Sequence, residues 1–536
     1  MTNYATGGVK RASRQVTKQT EVIPGRESEM IENNAGGFSF ELDQWKTLNR
    51  FLILGVETST YYTSAQNLIK MQTANLDKCI NTDAKRVLKM VYDISKEGRA
   101  PKQDATIFTL AKIFASKDNE AKKEAIALFP EIIRTGTHLF MFSYYLNEMR
   151  GWGRAVRKAV ANWYKMDVNN LQYQIVKYQG RSVEGSDNKF THKDVLRLSH
   201  VNPASEAHND VFKYIFTGVI PTGANLINAV NALHESKDNV KTACKLIKEF
   251  KLPHETWPNE LKNKKEIWQS GLDGMPLNAL IRNLGKMSAI SVFNKENTQD
   301  IADKMTNQEY ILKSRLHPMS ILTALMTYKQ GHGFKGSLSW MPNKDIMYAL
   351  DKAFYLAFGN VKATGKRLML ALDVSGSMGS PMSANSVLTC RDASAAMALV
   401  TANVESDYKV YGFSTTFKEL KISPEMRLED AIKVISGLPF AGTDCSLPMV
   451  WAKSNKEKFD GFAVYTDNET YAGKIHPSQA LRDYRRDSGI DARLAVIAMT
   501  PSNFSIADPK DSGMLDSVGF DVSTPEILNS FFRGEI

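Results

Sequence analysis

Near Lys362 the hydrophobic period of the chain changes, and that change divides it into two unlike folds. From about residue 40 to 356, apolar residues recur at three- and four-residue steps, as in DAKRVLKMVYDISKEG, KKEAIALFPEIIR, VKTACKLIKEF and DIMYALDKAFYLAF. Gly, Pro, Asn or Asp interrupt the pattern at short intervals. The spacing predicts amphipathic helices of about 10–15 residues joined by short connections, stacked in pairs as an α-solenoid. Beyond Lys362 the short apolar runs RLMLALDV, YKVYGF, DGFAVYT and RLAVIAM alternate with helical stretches such as RDASAAMALVTANV and PSQALRDYRRDSG. Short buried strands alternating with helices predict a mostly parallel α/β sheet. The fold class read from the chain is therefore α plus α/β, with KATGK as the linker. Residues 1–38 are polar and Gly-rich with neither period, and read as a flexible arm. The expected units are an arm at 1–38, a helical domain at 39–360 and an α/β domain at 361–536.

Charge is distributed unevenly between these units. The net charge is +10, yet residues 361–536 carry −3 and the first 360 residues carry +13. A basic helical part suggests a polyanion partner there, nucleic acid foremost, against the plainer reading of a solubilising surface. Four cysteines, at 79, 244, 390 and 445, are scattered and form no CxxC pair. That argues against a disulfide framework or a zinc knuckle, and for a reduced, cytoplasmic setting. No run approaches the roughly 20 apolar residues a membrane span needs, and MTNYATGGVKRASRQVTKQT lacks the apolar centre of a secretory signal.

The α/β part carries the most specific chemistry. RLMLALDV runs into D-V-S-G-S at 373–377, GTDCS brings Thr443, and DGFAVYTDN ends at Asp467. In an open α/β sheet ligands gather beyond the carboxyl ends of the strands, where these residues fall. Asp373, Ser375, Ser377, Thr443 and Asp467 are hard oxygen donors with no soft ligand among them. That set suits one Mg²⁺ or Mn²⁺ ion rather than zinc or copper. DVSGS alone could be an ordinary polar turn; three loops in order make the stronger case. An aspartyl-phosphate phosphatase would also place an Asp after its first strand, but needs a second acid two residues on, where this chain has Ser375. No other cluster of carboxylates or histidines has catalytic spacing, so the chain does not read as an enzyme.

Two basic segments stand out in the helical part. In RGWGRAVRKAVANWYK, Val156, Val160 and Trp163 share one helical face while Arg154, Arg157, Lys158 and Lys165 share the other. In KYQGRSVEGSDNKFTHKDVLRLSHVNP, Thr191 is placed to cap a helix with Asp194 three residues on, and the helix stops before Pro203. Lys193, Arg197 and His200 fall on one face of it, His192 lies in the first turn, and the preceding loop adds Lys177 and Arg181. Each segment alone could be a solvated basic face; together they suit phosphate contacts.

These stretches also carry a family resemblance. DVSGS with the later Thr and Asp resembles the metal-ion-dependent adhesion site of von Willebrand factor A domains. GRAVRKAVANWY, KYQGR with HKDVLRLSHVNP, MPLNALIRNLGKM, RLHPMSILTALMTYKQGHG, and GTDCSLPM with YTDNETYAG resemble the Ro ribonucleoprotein family from about residue 45 to near the C-terminus. The resemblance implies a TROVE module of HEAT-like repeats closed into a ring, joined to a Rossmann-like A domain. It implies Y-like RNA on the outer basic surface, and misfolded or structured non-coding RNA whose single-stranded ends enter a central hole. Arg154, Arg157, Lys158, Lys177, Arg181, His192, Lys193 and Arg197 match its RNA-binding region. An acidic protein ligand at the metal site and, as in bacterial relatives, a tethered exoribonuclease are further implications. The second reading is a metal-dependent protein adaptor with RNA binding secondary.

Overall fold

The computed structural model describes residues 16–55, 65–178, 190–314, 316–333, 337–359, 361–381, 388–438, 441–521 and 523–536. Among the described residues from Gln44 to Leu356 every regular element is a helix. Their buried residues follow the expected steps, as with Ile107, Leu110, Ala111 and Phe114 on the helix Asp104–Ala115. Short polar side chains set the starts: Asp118 accepts from Ala121 N at 2.9 Å and Thr135 from His138 N at 3.2 Å. Helices two apart in sequence pack together, Asp104–Ala115 on Gly136–Met149 and Asn119–Ile132 on Arg154–Tyr164. That is the neighbour pattern of a solenoid.

The series returns to its start. His317, from the turn before the helix Pro318–Lys329, meets the Arg99 carbonyl through Nε2 at 3.3 Å, while its Nδ1 accepts from Met319 N at 3.1 Å. These two partners fit a neutral ring protonated at Nε2, and burial pushes the group down to about 4.

The strands are β1 (Met30–Glu32), β2 (Phe38–Glu41), β3 (Leu368–Asp373), β4 (Tyr408–Phe413), β5 (Phe417–Leu420), β6 (Gly461–Thr466), β7 (Arg493–Ala498), β8 (Phe504–Ser505) and β9 (Met514–Val518). Six form one sheet in the order β5-β4-β3-β6-β7-β9, parallel except for β5 at its edge. The four runs read as strands are β3, β4, β6 and β7. Strand alternation lets β3 serve two cores: Leu368, Leu370 and Leu372 join the core continuous with the helices, and Met369 and Ala371 a second core with Leu481 and Tyr484. The linker is pinned, since buried Thr364 gives its N–H and its hydroxyl to the two Glu405 carboxylate oxygens, each at 2.8 Å.

The arm departs from expectation. Residues 1–15 lie outside the described residues, but 16–38 lie against the α/β domain. β1 and β2 pair with each other and β2 pairs with β8, making a second sheet of three strands. The segment buries only a small apolar cluster, Ile23 and Met30 with Phe40, and its other partners are polar loops, so it carries no sustained hydrophobic period.

The α/β domain holds both ends of the helical series. Arg50 on the helix Gln44–Leu54 is fully buried. It pairs with Asp516 at 2.6 Å and donates to Ser502 Oγ at 2.7 Å and to the Ser502 and Phe504 carbonyls at 3.0 and 2.9 Å. Arg99 reaches Asp521 at 3.1 Å. From the last helices Lys329 pairs with Glu429, and Asp351 accepts from Leu428 N at 3.4 Å. Arg50→Ala should lower stability by about 3–5 kcal/mol, because it leaves the Asp516 carboxylate buried without its cationic partner and takes the guanidinium away from the Ser502 and Phe504 carbonyls. Urea unfolding followed by circular dichroism checks this.

Candidate metal centre and basic helical face

β3 ends at Asp373 and β6 at Thr466, neighbours in the sheet, so both following loops emerge at one edge. Asp373, Ser375, Ser377, Thr443 and Asp467 are each 2% exposed or less. The Ser375 N–H donates to Asp373 Oδ1 at 2.9 Å, and the Ser375 and Ser377 hydroxyls lie 3.1 Å apart. Ser377 also bonds Asp467 through their side chains. Tyr471 N and Ala472 N both donate to the Thr443 carbonyl, at 3.1 and 3.0 Å, so the loop after Asp467 holds the Thr443 loop in place.

Sequence reasoning missed three residues here. Thr466 donates through Oγ1 to Asp373 Oδ2 at 2.7 Å. Asn468 takes a left-handed φ of 67°, and its Oδ1 accepts from Ile506 N at 3.1 Å, which turns the chain after Asp467. Glu469 is buried two residues beyond Asp467. The TDNET string contains all three, but only Asp467 belongs to a spacing that points to a ligand.

The electrostatics are those of an incomplete anionic cluster. Burial, then the charge of Asp467, pushes Asp373 up to about 7. Burial likewise raises Asp467, and burial followed by the Asp467 charge pushes Glu469 up to about 8. Among the described residues neither Asp373 nor Asp467 has an ion pair. The buried Thr443 Oγ1 has no hydrogen-bond partner. Two buried carboxylates and three hydroxyls, one of them the unpartnered Thr443 Oγ1, fit a hard divalent cation, which would supply the missing positive charge. If so, Mg²⁺ at about 100 times its Kd should stabilise the protein by about 2.7 kcal/mol. Thermal unfolding with and without Mg²⁺ checks this; Asp373→Ala should abolish the shift, and an equal shift in the variant would place the ion elsewhere.

The basic residues lie on two helices that pack together, Arg154–Tyr164 and His192–Ser199. Val156, Val160 and Trp163 are buried as expected, and Trp163 Nε1 donates to the Ile133 carbonyl at 2.6 Å. Arg154, Arg157, Lys158 and Arg197 are exposed, and Lys193 is half-buried. The Thr191–Asp194 capping box forms, with Thr191 N donating to Asp194 Oδ2 at 3.0 Å. Lys193 Nζ donates to the Phe216 carbonyl at 3.3 Å, and the Arg197 guanidinium lies 6.0 Å from the centre of the Phe216 ring.

Two expected contacts sit differently, and a third lies beyond the described residues. His192 is 4% exposed, with Nδ1 at 2.8 Å from the Tyr164 hydroxyl and its ring against Trp163 and Phe140. Burial pushes it down to about 3, so it is a neutral packing residue between the two basic helices rather than a surface cation. Lys177 is only 16% exposed along its side chain; it donates to Tyr173 OH at 3.1 Å and lies 3.9 Å from Glu255. Arg181 falls outside the described residues.

With fold and site in place, comparison with known proteins is decisive. The TROVE domain family matches residues 31–254 and 247–326, and the Ro60 vWA domain family matches 367–532. The chain belongs to the Ro family. It is 36% identical to the RNA-binding protein RO60 of Deinococcus radiodurans, over 97% of each chain. It is 35% identical to the RNA-binding protein RO60 of Caenorhabditis elegans, over 99% of this chain and 93% of that one. The crystal structure of the Deinococcus radiodurans RO (RSR) protein superposes with a TM-score of 0.70 at 35% identity, covering 92% of this chain and all of that one. The helical half is thus the Ro-type solenoid and the sheet half its A domain.

Proposed function

We propose that this protein is a non-catalytic RNA-binding scaffold whose helical half grips RNA phosphates. The observation that carries the proposal is the pair of packed helices presenting Arg154, Arg157 and Lys158 beside Lys193 and Arg197. Cations grouped on neighbouring helices suit contacts to successive phosphates, and A-form stems are read mainly by shape and backbone. The names of the relatives, both RNA-binding proteins, support the same reading. The proposed ligands are Y-like RNA and misfolded or structured non-coding RNA, with single-stranded ends passing into a central hole, in the service of RNA quality control. Beside Lys193 and Arg197 the Phe216 ring is 37% exposed, an aromatic face suited to stacking an unpaired base.

The A domain carries −3 and is a poor surface for RNA. Its proposed role is to hold Mg²⁺, or Mn²⁺, with an acidic group of a protein partner completing the coordination. A tethered exoribonuclease belongs to the same proposal. The proposed compartment is the cytoplasm, supported by four cysteines that are all free thiols. Among the described residues no helix is long and apolar enough to cross a membrane.

Reversing Arg157 and Lys158 together to Glu should weaken binding to a stem with a single-stranded end by at least about tenfold, and should make the dependence of log K on log salt shallower by about 2. Fluorescence anisotropy across a salt series measures both. Asp373→Ala should leave RNA affinity unchanged. Unaltered binding in the double variant would remove this face from the RNA site.

A further inference from the structure

The two loops that carry Thr443 and Asp467 are bridged by a residue from the far end of the chain. Gln19 is fully buried. Its Nε2 donates to Asp444 Oδ1 at 2.8 Å and to the Ile475 carbonyl at 2.9 Å. Its Oε1 accepts from Thr470 Oγ1 at 2.6 Å and from Gly473 N at 3.0 Å. Both hydrogens and both lone pairs of the amide are thereby used, a full complement for one side chain. The backbone adds Gln19 N to the Gly473 carbonyl at 3.0 Å, and Phe38 N to the Gln19 carbonyl at 2.8 Å. Asp444 directly follows Thr443, and Thr470 lies three residues after Asp467. Thr470 Oγ1 in turn accepts from Cys445 N at 3.1 Å, so Gln19 completes a network spanning both loops.

The rest of the segment reinforces that bridge. Asn33 Nδ2 donates to the Thr470 carbonyl at 2.8 Å, and Asn34 Nδ2 to Glu469 at 2.6 Å. Gly37 lies so close to Thr470 that a Cβ there would fall 1.9 Å from its carbonyl oxygen, so only glycine fits. A separate anchor ties the segment to a different loop, where Arg26 meets both Asp508 oxygens at 2.7 Å.

A hard divalent cation tolerates little error in the placement of its oxygens, and residues behind the ligands set that placement. We propose that Gln19 is a positioning residue of the divalent-cation site, and that the site reaches full affinity only with the N-terminal segment docked. The proposal rests on the reading that these loops hold Mg²⁺. It gives the segment a function beyond stability: it fixes the separation of the Thr443 and Asp467 loops.

The test is calorimetric titration of Mg²⁺ into the full-length protein and its variants, with thermal unfolding of each in the absence of metal. Gln19→Ala should weaken Mg²⁺ binding by about 10- to 100-fold, the usual effect of removing a partner behind the ligands. Arg26→Ala removes the Asp508 anchor while the Gln19, Asn33 and Asn34 bonds keep the segment docked on the two loops, and should leave Mg²⁺ affinity within about twofold of the parent even where it lowers the melting temperature as much. Gln19→Asn keeps an amide one methylene too short to span both loops; it should weaken binding too, and serves if Gln19→Ala does not fold. Equal affinity in parent and Gln19 variants, or equal loss in the Gln19 and Arg26 variants, would overturn the positioning role alone. A parent protein that binds no Mg²⁺ would overturn the metal reading and this proposal with it.

Discussion

The buried guanidinium of Arg50 is the constraint on which the architecture depends. Amphipathic helices in series fix only their neighbours, so a solenoid by itself is open at both ends. Here the first helix is fastened to the sheet domain by a charge that cannot be left unpaired. Asp516, Ser502 and Phe504 supply its acceptors from three points on that domain. Moving the domain away would expose or orphan all of them together, and an uncompensated buried charge is costly enough to make the arrangement close to all-or-none. Lys329 and Asp351 engage the same domain from the last helices, and His317 meets Arg99 where the series closes. The A domain thus works as a buckle on the helical circuit.

That closure separates two chemistries. Arg154, Arg157, Lys158 and Arg197 on the helices Arg154–Tyr164 and His192–Ser199 are exposed and, among the described residues, form no ion pair with a buried carboxylate, which keeps their charge available to a polyanion. The A domain concentrates the opposite charge, sinking Asp373, Asp467 and Glu469 out of solvent, where burial holds all three above the ordinary carboxylate range. A cation relieves that repulsion and a phosphate aggravates it. On the proposed reading, RNA and a metal would therefore occupy different parts of the chain without competing.

Much of this was legible in the sequence, because period and loop position are local properties. The four main strands, the helical half, the loops that bring Asp373, Thr443 and Asp467 to one edge of the sheet and the Thr191–Asp194 cap each follow from residues close together in the chain. What was not legible depends on which separate elements the fold brings together. His192 reads as a surface histidine at a helix start, yet Tyr164, Trp163 and Phe140 surround it. Lys177 reads as a free cation until Tyr173 and Glu255 are placed beside it. The segment 16–38 has no hydrophobic period because it is held by hydrogen bonds to polar loops of the A domain, and no local pattern announces a bond from Gln19 to Thr470. Thr466 was passed over because a hydroxyl inside a buried strand looks like an ordinary β-branched residue until Asp373 is seen across from it.

The central claim is that RNA lies on the basic helices while the A domain stays free of it. Ultraviolet crosslinking of the full-length protein to a stem with a single-stranded tail, followed by mass spectrometry of the crosslinked peptides, tests it most directly. The account predicts crosslinks concentrated in peptides from residues 150–220, with those from 366–536 at background. Crosslinks concentrated on the A domain, with the basic helices silent, would contradict it.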